Sequence, residues 1–144
     1  MLSETLVCAA AGQAIPSDVV AAIGKTVLVV DDDVEIRETI RDVLEEEGYR
    51  VELASNGAEA LAHLRAQADD AHPSLVLLDL MMPEMNGWQF CEEQRRDPRL
   101  SSIPVLVISA ASVDAKKGSI AGYAFLKKPI ELARLLESVA KHAR

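Results

Sequence analysis

Aromatic side chains are scarce in this chain. Its 144 residues hold two phenylalanines, two tyrosines and one tryptophan, 3% in all, so the core must be aliphatic. Basic charge is also in deficit, with 15 Lys and Arg against 23 Asp and Glu. The resulting net charge of −8 and pI near 4.8 argue against nucleic acid as a direct partner. They are compatible with a cation, or with a partner that presents a basic face. The two cysteines, Cys8 and Cys91, form no metal or disulfide motif, and Cys91 reads as a small buried residue on a helix. No apolar run reaches the roughly 18 residues needed to span a membrane. The stretch Leu6 to Ala11 superficially suggests a secretory signal, but it lacks a positive start and follows Glu4. A cytoplasmic protein with no membrane partner is the expectation.

An apolar fraction of 49% and a charged fraction of 26% describe an ordinary globular chain. The length suits one domain with a sizeable core. Residues 1–24 carry no strong period; Pro16-Ser17-Asp18 could cap a short helical turn ended by Gly24, and the segment reads as an extension or linker. From Lys25 onward strand and helix signals alternate. Strands are expected at Thr26 to Val30, Arg50 to Leu53, Leu75 to Leu78, Val105 to Ile108 and Ala124 to Lys127. Helices are expected from Asp33 to Glu47 with Gly48 as the stop, from Ala58 to Ala68, from Trp88 to Arg96 and from Ile130 to His142. The last should turn Leu132, Leu135, Leu136 and Val139 to one face. Met82 to Gly87 is a loop by composition. Such alternation implies right-handed crossovers and a parallel sheet covered on both faces.

Four of the strand signals run directly into functional groups: Asp31-Asp32-Asp33, Asp79, Ser109 and Lys127-Lys128-Pro129. In a parallel sheet these ends meet on one edge, where open α/β sheets bind ligands. Asp33 fits a helix cap. Asp31 and Asp32 suit a hard divalent cation such as Mg²⁺, which takes one or two carboxylates and keeps several waters. Asp79, brought beside them, would be relieved of repulsion by that cation and left free to attack an electrophile. Lys128 offers a point charge and Ser109 a hydroxyl donor to a phosphoryl group. Lys127 competes with Lys128, and strand alternation places the two on opposite faces.

Val27 to Asp33, Leu75 to Gly87, Pro104 to Ala110 and Phe125 to Pro129 together resemble the motifs of the CheY-like receiver domain of two-component response regulators. The resemblance covers roughly Lys25 to Lys141, with residues 25–144 as the receiver domain. It implies a flavodoxin-like, doubly wound α/β fold with five parallel strands in the order 2-1-3-4-5 and helices on both faces. It implies that Asp79 accepts a phosphoryl group from a histidine kinase or histidine phosphotransfer protein. By the same resemblance Asp32 is the direct ligand of Mg²⁺ or Mn²⁺, Asp31 acts through water, and the backbone carbonyl of Met81 completes the protein's share. Ser109 matches the switch hydroxyl, Lys128 the lysine that pairs with the acyl phosphate, and Phe125 the aromatic switch. Pro83 and Gly87 match the loop after the acceptor.

Two departures stand out. Ser109 and Lys128 lie closer in sequence than is usual for the family, so the fourth helix, expected within Ala111 to Gly122, should be short or irregular. Met81 puts an apolar side chain where the family tunes dephosphorylation. The leading expectation is a stand-alone phosphoacceptor switch for an unidentified downstream protein, not a turnover enzyme; Met1 and the N-terminal extension favour a free receiver over the tail of a hybrid kinase. A non-phosphorylated scaffold is the second reading, motivated by the short fourth helix. An aspartyl-phosphate phosphatase is the third, and it would want a second Asp where Met81 stands.

Overall fold

The structure is a computed structural model that describes residues 24–80, 86–109 and 124–143. Expectations for the N-terminal extension, for Met81 and Pro83, and for the helix within Ala111 to Gly122 fall outside these residues.

The strands form where β-branched and aliphatic residues run together. β1 (Thr26–Val30) is buried from Val27 onward. Asp33 caps the following helix α1 (Val34–Glu46), its carboxylate accepting from the backbone N–H of Glu35 at 2.9 Å and of Ile36 at 3.2 Å. Gly48, at φ 101°, takes the left-handed turn that ends the helix and feeds β2 (Arg50–Ala54). Asn56 caps α2 (Gly57–Ala66), which sets its start one residue ahead of the expected Ala58. A short 3₁₀ turn (Asp69–Ala71) leads to β3 (Leu75–Asp79). A reciprocal Asn86–Gln89 capping box opens α3 (Gly87–Arg96), and β4 (Val105–Ser109), β5 (Ala124–Lys127) and α4 (Leu132–His142) follow.

All five strands pair in parallel in the order β2-β1-β3-β4-β5, as the resemblance implied. Alternate residues of each strand feed two cores. Leu28, Val30, Val76, Leu78, Val105 and Val107 meet α2 and α3 on one face. Val27, Val29, Leu75, Leu77, Leu106 and Ile108 meet α1 and α4 on the other. Among the described residues the buried aromatics are Phe90 and Tyr49, so both cores are essentially aliphatic.

The last helix differs from expectation. It starts at Leu132 with Glu131 as its N-cap, two residues after the expected Ile130. Leu135 and Val139 are buried, but Leu132 is 48% exposed. At the first helical position its side chain leans back off the N-terminus, past the last core layer.

The α3–β4 connector depends on one buried amide. Gln94, 1% exposed, donates from Nε2 to the carbonyls of Leu100 at 2.7 Å and Ile103 at 3.1 Å. Gln94→Met keeps the bulk but removes both bonds, leaving the Leu100 carbonyl with only the Ile103 N–H at 3.0 Å, which should cost about 1–3 kcal/mol. Urea denaturation should then give a lower midpoint with an unchanged slope.

Candidate functional site

The sheet register decides which side chains meet. Val30 of β1 lies level with Leu78 of β3, Asp79 with Ile108 of β4, and Ser109 with Lys127 of β5. The chain leaves β1 at Asp31, β3 at Asp79, β4 at Ser109 and β5 at Lys128, all on one edge. Asp31, Asp79 and Ser109 are 3%, 5% and 0% exposed, while Asp32 is exposed.

The carboxylates of Asp31, Asp32 and Asp79 converge, with one oxygen from each within 4.8 Å of the others. The Lys128 ammonium closes the cluster, 3.4 Å from Oδ2 of Asp31 and 3.4 Å from Oδ2 of Asp79. Lys127 points to solvent. Lys128 is itself held by the sheet edge, since its backbone N–H donates to the Ser109 carbonyl at 2.9 Å. Burial pulls the Lys128 pKa down, but attraction and hydrogen bonding from Asp31 and Asp79 outweigh it, and the net value is raised above that of an ordinary lysine. The ammonium is therefore a fixed charge at neutral pH.

Three carboxylates face this single ammonium, so a negative excess stays at the edge. Converging oxygen donors, two of them buried, fit a hard divalent cation. Asp33, expected as a cap, turns its carboxylate to the helix N–H groups and stays out of the cluster. Phe125 lies level with Val107, half-buried against the core beneath α2 and α3, as does Trp88 at the start of α3. The proposed contribution of Met81 lies outside the described residues.

Two features escaped the sequence. Arg37 of α1 donates from Nη1 to the backbone carbonyl of Asp31 at 2.7 Å. The signal available was a cation close to the start of a helix, where the dipole disfavours it. The second is the crowding at Gly87. Its N–H donates to the Leu80 carbonyl at 3.0 Å, bringing α3 onto the end of β3. A Cβ there would stand 2.6 Å from Cδ2 of Leu80, 2.7 Å from its Cα and 3.0 Å from the Asp79 carbonyl. Glycine is required by space, because backbone atoms cannot step aside.

Comparison with known proteins agrees with this geometry. Residues 27–140 match the response regulator receiver domain family. The chain is 37% identical over 112 residues to the response regulator Rre1 of Synechocystis, covering 74% of this chain and 46% of Rre1. It is 34% identical over 122 residues to the protein PilG of Pseudomonas aeruginosa, covering 83% of this chain and 87% of PilG. It thus spans nearly all of one relative and under half of the other. Among solved structures, the chemotaxis protein CheY4 of Vibrio cholerae superposes with a TM-score of 0.72 at 29% identity, over 82% of this chain and 98% of that one.

The contacts at Gly87 imply that Gly87→Ala displaces Leu80 and, with it, the backbone of Asp79. A stability loss of roughly 1–3 kcal/mol is expected from such overpacking. Thermal unfolding should read the loss, and the Trp88 fluorescence maximum should shift in the folded variant.

Proposed function

We propose that this chain, which belongs to the response regulator receiver family, is a switch that carries a phosphoryl group on Asp79. The observation that supports this best is the buried Asp79 carboxylate at the sheet edge, flanked by two further carboxylates and held by the Lys128 ammonium. The donor is a phosphohistidine of a histidine kinase or a histidine phosphotransfer protein. An Asp79 oxygen forms the new P–O bond as the P–N bond to the donor imidazole breaks, and the imidazole keeps the electron pair and takes up a proton.

Such a transfer needs alignment and neutralisation more than covalent assistance. Lys128, already 3.4 Å from Asp79, supplies a point charge to the phosphoryl oxygens. The Ser109 hydroxyl serves as a hydrogen-bond donor to the same group. Asp31, Asp32 and Asp79, with the Met81 carbonyl, would hold Mg²⁺ or Mn²⁺. When bound, that cation neutralises the carboxylate excess and charge on the transferring group. Ser109 sits on β4 and Phe125 lies level with Val107 on the neighbouring strand, so a hydroxyl drawn toward Asp79 bears on the aromatic and alters the surface that a partner reads. Lys128 also lines a groove with Ile36, Pro129, Ile130 and Leu132, an apolar margin suited to a protein donor.

Residues 25–144 form the receiver in this reading, with 1–24 as an extension, and the protein acts as a switch rather than by turnover of external substrates. No helix among the described residues is long and apolar enough to cross a membrane. We place the protein's action in the cytoplasm, alongside its kinase.

Intact-protein mass spectrometry after incubation with acetyl phosphate and Mg²⁺ tests the assignment. One phosphoryl adduct is expected in the wild type, and none in Asp79→Asn or with EDTA. An equal adduct in folded Asp79→Asn would remove Asp79 from the acceptor role.

A further inference from the structure

Asp31 is restrained at every polar group it has. Its N–H donates to the Ala54 carbonyl at 3.2 Å. Its Oδ1 accepts from the Asp33 N–H at 2.9 Å, and its Oδ2 faces Lys128 at 3.4 Å. Its carbonyl accepts from Arg37 Nη1 at 2.7 Å. That last bond is the short, charge-assisted kind. Arg37 lies close to the helix N-terminus, where a positive charge is unfavourable, and its side chain is half-buried rather than extended into water. Side chains on a helix lean toward its N-terminus, so the guanidinium reaches back over the turn that precedes α1. Its backbone N–H meanwhile donates to the Asp33 carbonyl at 2.9 Å, which ties both ends of the side chain's reach to the same turn.

Between these fixed points sits Asp32, exposed, with its carboxylate converging on those of Asp31 and Asp79. The Asp31 carbonyl belongs to the same rigid peptide plane as the Asp32 N–H. Holding that carbonyl fixes the plane, and with it the place of the Asp32 Cα from which its carboxylate projects. We infer that Arg37 is a positioning residue for the cation site, acting through the Asp31–Asp32 peptide to aim Asp32 at Asp31 and Asp79. The inference rests on the reading of these three carboxylates as a divalent-cation site.

Electrostatics alone and positioning predict opposite signs. Arg37 is a positive charge near the cluster, so simply removing it should tighten cation binding. Loss of a residue that orients a ligand typically weakens metal affinity about 10- to 100-fold. The experiment is a Mg²⁺ titration followed by Trp88 fluorescence on wild type, Arg37→Met, Arg37→Lys and Arg41→Met. Arg41 removes the same charge from the same helix, but its partners are Asp42 and Glu45, away from the turn. Weaker binding by roughly tenfold in Arg37→Met, with Arg41→Met unchanged or slightly tighter, is the expected result. Arg37→Lys should recover only part of the loss, since an ammonium does not reproduce the guanidinium's reach and planarity. Unchanged or tighter binding in folded Arg37→Met would overturn the inference.

A second readout needs no metal. In the metal-free protein the Asp33 amide, bonded to Asp31 Oδ1, should exchange its hydrogen faster in Arg37→Met than in wild type, while core amides of β3 keep their rates. Equal exchange at Asp33 would also overturn the positioning role. A wild type that gives no Mg²⁺ response would count against the cation site itself, and the exchange comparison would then decide the positioning role by itself.

Discussion

The contact on which the site depends is the Lys128 ammonium set between the carboxylates of Asp31 and Asp79. Two carboxylates that are 3% and 5% exposed cannot be held side by side without a counter-charge. Each partner comes from a different strand end, so the ion cluster links β1, β3 and β5 across the sheet. It compensates only part of the charge. The residual negative potential suits a hard divalent cation, and in the proposed function Lys128 is then left to meet an incoming phosphoryl group.

Around that cluster the backbone does most of the holding. The Ser109 carbonyl takes the Lys128 N–H, the Ile108 carbonyl takes the Leu80 N–H, and the Leu80 carbonyl takes the Gly87 N–H. A continuous set of main-chain bonds therefore runs from β5 through β4 to the end of β3 and the start of α3. The reactive side chains hang from this frame at positions that the strands' parallel register dictates. The two aliphatic cores beneath it, one on each face, supply the rigidity. The polar groups at the edge contribute charge and direction.

Much of this was legible in the chain. Runs such as Val27 to Val30 and Leu75 to Leu78 are apolar at every position, and only a strand covered on both faces tolerates that. The alternation of such runs with amphipathic stretches then gave the parallel sheet and the convergence of Asp31, Asp79, Ser109 and Lys128 on one edge. Element ends were less well read. Asn56 decides where α2 starts, because its cap is settled by one hydrogen bond from the Glu59 N–H rather than by periodicity, while α4 starts after Glu131 with no side-chain cap bond to mark it. Leu132 fits the helical period of Leu135 and Val139, yet it is exposed, since a period says nothing about where the sheet beneath the helix stops.

The sequence by itself determined which carboxylates, which hydroxyl and which ammonium terminate apolar strands, and hence the expectation of a site for a cation and a phosphoryl group. Those are local properties, carried by residue type and spacing. Only the tertiary structure decided the 3.4 Å reach of Lys128 to both Asp31 and Asp79, the need for glycine at position 87, and the bond from Arg37 to the Asp31 carbonyl. Each of these depends on distances of a few ångströms between atoms whose separation along the chain carries no information about their separation in space.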